Sequence, residues 1–443
     1  MYDIGIHCGY ILPMQEGDTT VLQQQFLAIH RGKITELKTW EPQDKDRVVK
    51  FIDASHQLVM PGLINGHAHL PMNLLRGLAE DQPFWQWLQQ TILPAEKVFV
   101  NPEFVRIGAE LAIVELIRAG ITTVCDMYYF EDIIAESVDK IGLRAVLGET
   151  IADFASPDNP DNTGNNYRIV ENMIERFANH PRITTCIAPH APYSCSDTTL
   201  RKIMQYAEKY QLLIKTHVAE TQEEVERSLT DYQLTPVQRL YKLGLMDYPT
   251  IFAHGVHLND EDIELIAKTQ TKVIYNPKSN MKLSCGIAPI RKLLQQGVTV
   301  GIGTDSAASN NSLNILSELA TGMKLQKLHN ADVTITTKDM LRMATLQGAK
   351  ALGLEHQTGS LEIGKVADCI ILDINASHWH PLYEIPSALV YSANGSEVAT
   401  TICHGQILME NRIIKTLDVE RLYNEAKQLS RKIHAYVTKP GYP

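Results

Sequence analysis

The stretch LVMPGLINGHAHL, residues 58–70, governs the reading of the chain. Its first part, LVMPGLI (58–64), is a short apolar run of strand type, and His67 and His69 follow it directly. In extended backbone, residues i and i+2 project to the same face, so two imidazoles at that spacing can share one cation. On a helix they would diverge by roughly 200°, which is why helical zinc motifs use i and i+4 instead. A bare H-x-H is short, so its weight depends on what surrounds it.

Seven further strand-like runs follow: ITTVCDM (121–127), RAVLGET (144–150), ITTCIAP (183–189), LLIKTH (212–217), TIFAH (250–254), KVIYN (272–276) and VTVGIGT (298–304). Helix-like stretches such as EFVRIGAELAIVELIRAG (103–120) and TLRKIMQYAEKYQ (199–211) lie between them. Alternation of strand and helix implies a parallel sheet, and eight such units fit an α/β fold of the (β/α)8 TIM-like barrel type. Strand-type runs precede the barrel (IGIHCGYIL, FLAIHRGKITEL, FIDASHQLVMPG). Others follow it: GSLEIGKVADCIILD reads as strand, glycine turn, strand, and ATTICHGQILMENRII as a hairpin. We therefore expect a small β-sandwich domain built from both chain ends (1–57 and 357–417), a barrel over 58–356, and a C-terminal helix and tail over 418–443. The turn-rich segment DFASPDNPDNTGNNY (153–167) is expected as a loop on the active-site face.

Barrel active sites form at the C-terminal ends of the strands. Besides His67 and His69, three other runs end in, or run directly into, a metal-capable residue: His217, His254 and Asp305. Glu220 follows His217 by three positions. Asp305 could instead cap the next helix, and His254 or His257 could be core histidines. His7, His30, His56, His180, His329, His356, His378, His380, His404 and His434 lack this strand-end placement and read as packing or surface residues. Three imidazoles and one carboxylate suit zinc or iron(II) with an open position for water. Zinc lowers the pKa of such a water to about 7, and Glu220 could carry its proton to a substrate nitrogen.

Composition narrows the function classes. The 443 residues carry a formal net charge of -10 and no dense Lys/Arg run, which argues against a nucleic-acid partner. No stretch reaches the roughly 18 apolar residues of a membrane span. The start, MYDIGIHCGYILPM, lacks the basic region of a signal peptide. The seven cysteines are dispersed without a C-x-x-C pair, as expected for a reducing, cytoplasmic setting.

NGHAHLPMNLLRGLAED, THVAE, AHGVHL, NPKSNMKL and GTDSAASNNSLN, in this order, resemble the amidohydrolase superfamily. Within it they most resemble the 5-methylthioadenosine/S-adenosylhomocysteine deaminase group. The similarity spans nearly the whole chain. It implies His67, His69, His217 and Asp305 as ligands of one divalent ion, zinc first, with iron(II) or manganese accepted by the same set. The fourth strand runs into APHAPYSC without the lysine that binuclear relatives carry there. The resemblance further implies Glu220 as proton shuttle and His254 as the group polarising the water. Trp87, Glu96, His190 and, loosely, Arg168 are implied near the nucleoside, together with Glu220. Glu149 stands where an arginine is expected in relatives that hold S-adenosylhomocysteine well, which tilts the expectation toward methylthioadenosine or adenosine. The implied reaction is water attack at C6 of adenine, protonation of N1 by Glu220, and release of ammonia with help from Asp305. A small-molecule nucleoside substrate and a homo-oligomeric state are likewise implied. The alternatives are deamination of guanine, a pterin or aminodeoxyfutalosine, triazine hydrolysis, or a barrel that has lost catalysis.

Overall fold

The computed structural model describes residues 1–78, 80–330 and 335–438. Four strands open the chain: β1 (Tyr2–Ile11), β2 (Leu22–His30), β3 (Lys33–Thr39) and β4 (Val48–Pro61). Eight more follow: β5 (Leu63–Ala68), β6 (Ile121–Tyr128), β7 (Arg144–Ile151), β8 (Ile183–Pro189), β9 (Ile214–Val218), β10 (Thr250–His254), β11 (Lys272–Tyr275) and β12 (Val300–Ile302). The last four are β13 (Cys369–Asp373), β14 (Val398–Cys403), β15 (Gln406–Glu410) and β16 (Ile413–Ile414).

β5 to β12 form one parallel sheet in sequence order, with helices in the connections. All eight residues of β6 and all eight of β7 are buried, as both faces of a barrel strand must be. Each connecting helix is set locally. Before Pro102–Arg118, the Asn101 side chain accepts from the backbone N–H groups of Glu103 and Phe104, both at 3.0 Å. The sheet closes at its upper rim, where Asp305 N–H donates to the His67 carbonyl at 2.9 Å. Lower down, Ile64 N–H donates to Ala344 at 2.8 Å, so a helix end fills the rest of the seam.

The chain ends build a second eight-stranded sheet, ordered β16-β15-β14-β13-β4-β1-β2-β3. It curls on itself: Ala367 N–H donates to Gly32 across to the β2–β3 turn, and Gly405 abuts the same turn. Ile6, Ile29, Cys369, Ile371 and Ile402 share the apolar core inside the curl. The buried pair Arg144–Asp368 (2.8 Å) ties this sheet to the barrel. The tail helix Val419–Val437, capped by Asp418, reaches the barrel through Arg106–Glu425 (2.8 Å).

Two expectations need correction. The run 58–64 is not one barrel strand: Leu58–Pro61 ends β4 and pairs antiparallel with β13, and the barrel strand begins at Leu63. Gly62 marks the crossing, because a side chain there would collide with Thr122. A continuous apolar run has no periodicity to show where a strand changes sheets. Residues 360–363 do not form a strand either. The backbone N–H groups here reach other partners, Leu361 donating to Pro13 and Gly364 to Ile34, both at 2.8 Å.

Candidate metal and substrate site

The upper rim of the barrel gathers the strand-end residues. His67 is fully buried, and neither of its ring nitrogens has a hydrogen-bond partner among the described residues. Its Nε2 lies 3.3 Å from Asp305 Oδ1, and His69 Nε2 lies 3.1 Å from the same oxygen. His69 Nδ1 meets the Met127 carbonyl at 2.5 Å, and His217 Nδ1 meets the His190 carbonyl at 2.6 Å. A carbonyl only accepts, so both Nδ1 atoms carry a proton. Burial would lower His69, but Asp305 raises it in the absence of a cation. In the neutral rings that a cation requires, both Nε2 atoms present lone pairs. Those two Nε2 atoms face each other at 3.3 Å. Two lone pairs at that distance repel unless a cation lies between them. The donor set of neutral imidazoles plus one carboxylate oxygen therefore fits a divalent ion of the zinc, iron(II) or manganese type.

The electrostatics agree with ligation. Burial holds His67 and His217 well below the ordinary imidazole range, so both are neutral. Burial would raise Asp305, but its imidazole partners outweigh that and hold it well below the usual carboxylate range. Ser279 and Ser309 donate to its other oxygen at 2.5 and 2.7 Å, which fixes the carboxylate plane. Asp305 and His254 both adopt left-handed backbone (φ 60° and 74°), which is uncommon for non-glycine residues and costs strain. His254 Nδ1 is held by Asn280 Oδ1 at 2.8 Å.

Glu220 is buried 3.6 Å from His254. Burial pushes its carboxyl well above the ordinary range, and the Asp305 charge adds to the effect. Its backbone is held by Glu224, whose two oxygens accept from Ala219 N–H at 3.0 Å and Glu220 N–H at 2.9 Å. Ala219 is left-handed (φ 51°). Glu224 was missed in the sequence. The spacing Thr221-x-x-Glu224 carries the capping-box pattern, but the carboxylate reaches past the cap to residues 219 and 220. Ser279 and Asn280 lie in the quoted NPKSNMKL motif without having been singled out.

A cavity lies against this cluster. Trp87, Glu96 and His190 line it, together with Tyr128, Tyr129 and Thr150. Glu96 Oε1 accepts from the Tyr128 hydroxyl at 2.6 Å, and burial raises the Glu96 carboxyl to about 7. Two expected neighbours are not brought to the cavity. Arg168 is exposed on the helix Asn165–Arg176 and is not among the lining residues. Glu149 is buried on the opposite face of β7 from Thr150, where it accepts from Glu131 N–H at 2.8 Å at a helix start. The tilt toward methylthioadenosine or adenosine therefore loses its basis, because Glu149 does not confront the substrate.

A parallel barrel whose rim concentrates histidines and one ionised aspartate defines a class of metal-assisted barrel proteins. The chain belongs to the amidohydrolase family, whose model matches residues 58–408. It is 41% identical over 437 residues to a 5-methylthioadenosine/S-adenosylhomocysteine deaminase of Aquifex aeolicus, covering 98% of each chain. It is 40% identical over 408 residues to a 5'-deoxyadenosine deaminase of Methanobrevibacter smithii, covering 91% of this chain and 92% of that one. Among solved structures it superposes on an adenosine deaminase from Xanthomonas campestris with bound zinc, with a TM-score of 0.94 and 34% identity. That match covers 98% of this chain and 99% of the other.

Proposed function

We propose that this chain is an aminohydrolase that converts an adenine nucleoside to its inosine analogue and ammonia. The substrates are 5'-methylthioadenosine, S-adenosylhomocysteine or adenosine. The observation that carries this reading is a buried, proton-retaining carboxyl, Glu220, beside a cation-fitting His/Asp cluster on a cavity walled by aromatic rings. His67, His69, His217 and Asp305 would hold one zinc ion, with iron(II) or manganese accepted by the same donors. When bound, that ion supplies Lewis-acid activation of a water molecule.

The remaining work falls to side chains of this chain. Glu220 delivers its proton to N1 and takes one from the attacking water as the oxygen bonds to C6. His254, whose Nδ1 donates to Asn280, presents its other nitrogen as an acceptor to the water that attacks C6 and so polarises it. Asp305 passes the hydroxyl proton toward the departing amino group, which leaves as ammonia. Trp87 and the neighbouring apolar wall exclude bulk water from the ring, and Glu96 accepts the sugar hydroxyls. Among the described residues no helix is long and apolar enough to cross a membrane, and all seven cysteines are buried and unpaired, in keeping with a cytoplasmic enzyme.

The test is ammonia release by zinc-loaded protein over a panel of purine nucleosides, guanine and pterins, with elemental analysis alongside. Glu220→Gln is expected to keep its metal and lose turnover. Release from guanine but from no adenine nucleoside would refute the substrate assignment, and an active Glu220→Gln would refute the shuttle.

A further inference from the structure

Glu96 is gripped from one side only. It sits in the short helix Leu93–Phe99, in the segment that crosses the barrel mouth, and is 5% exposed. Its Oε1 takes the Tyr128 hydroxyl at 2.6 Å, whereas Oε2 has no hydrogen bond among the described residues, and the side chain lines the cavity. Tyr128 is the last residue of β6, a strand of the rigid barrel, and is itself buried. The bond therefore runs from a fixed wall to a carboxyl carried on the mouth segment.

Resting on the reading above, in which Glu96 accepts the sugar hydroxyls, we propose that Tyr128 is a positioning residue. Its hydroxyl pins one carboxyl oxygen so that the other meets the vicinal hydroxyls of a ribose. A carboxyl free to rotate loses that alignment, and with it the ability to accept two adjacent hydroxyls at once. Charge acts in the same direction. Burial raises the Glu96 carboxyl to about 7, and the hydrogen bond from Tyr128 opposes that rise. Burial holds the Tyr128 phenol well above its ordinary range, so it remains a donor throughout the working pH range. Without the hydroxyl, Glu96 is protonated to higher pH and accepts less well at neutrality.

The same bond also tethers the mouth segment to the barrel, so the test must separate alignment of the sugar from loosening of a wall. The comparison is the ratio of kcat/KM for adenosine to that for 2',3'-dideoxyadenosine, measured on zinc-loaded full-length protein. Tyr128→Phe keeps the ring and removes only the hydroxyl. It is expected to lower that ratio on the order of tenfold, mostly through KM for the ribonucleoside. It is also expected to move the acid limb of kcat/KM for adenosine to higher pH. Glu96→Gln should collapse the ratio in the same sense. An equal loss on both substrates would assign Tyr128 a structural role and overturn the proposal, as would an unchanged ratio. A wild-type protein indifferent to the diol would overturn the role of Glu96 as well. Absence of ammonia from every nucleoside would instead strike the proposed function itself.

Discussion

Replacing Glu224 with Gln alters one atom of a side chain that touches neither the candidate ligands nor the cavity. The carboxylate accepts two backbone N–H groups, Ala219 at 3.0 Å and Glu220 at 2.9 Å, and an amide can satisfy only one of them. A hydrogen bond to a charged group contributes about 1.5–3 kcal/mol. The left-handed conformation of Ala219 stores about 1–2 kcal/mol more, which the loop can release by relaxing. A loss near 2 kcal/mol corresponds to roughly thirtyfold. We expect kcat to fall about 10- to 100-fold, with KM nearly unchanged and one equivalent of zinc retained. The pH profile supplies a second check. Burial raises the Glu224 carboxyl to about 7 against the pull of its two N–H donors. As pH falls through that value the wild-type carboxyl takes up a proton and weakens its grip on Glu220. Activity then declines on the acid side, and the variant lacks that component. Steady-state kinetics with metal analysis decides the matter: a variant within twofold of wild type, with the acid limb intact, would refute the reasoning.

Removing both hydroxyls that orient Asp305, as Ser279→Ala with Ser309→Ala, is expected to weaken zinc binding about 10- to 100-fold, read by competition with a chromophoric chelator. Unaltered affinity would deny them that role. Arg144→Met strands Asp368 as a buried, uncompensated charge between barrel and terminal sheet, and is expected to cost about 3–5 kcal/mol in denaturant unfolding. A loss below 1 kcal/mol would place the two sheets' adhesion elsewhere.

The barrel was legible because its strands announce themselves locally: short β-branched runs, each followed by a helical repeat, and chemistry-bearing residues at their ends. His67, His69, His217, His254 and Asp305 could be found from that placement, and Glu220 from its distance to His217. What escaped depends on where side chains point after packing. Glu149 and Thr150 are neighbours in one run, and only the pleat decides that Thr150 sees the cavity while Glu149 caps a helix. Glu224 looks like an ordinary first-turn acid until its carboxylate is followed back to residues 219 and 220. Residues 360–363 have strand composition, yet their peptide groups are claimed by Pro13 and Ile34, at the other end of the chain.

Beside the paired hydrogen bonds of Asn65 and Thr304, the barrel is joined at its rim by the backbone contact from Asp305 on the last strand's exit to His67 on the first strand's exit. Both residues are also proposed to hold the ion. A cation seated there would serve as the clasp on a bracelet, locking the earliest and latest staves of the cylinder together. Loading the enzyme would then also reinforce its ring.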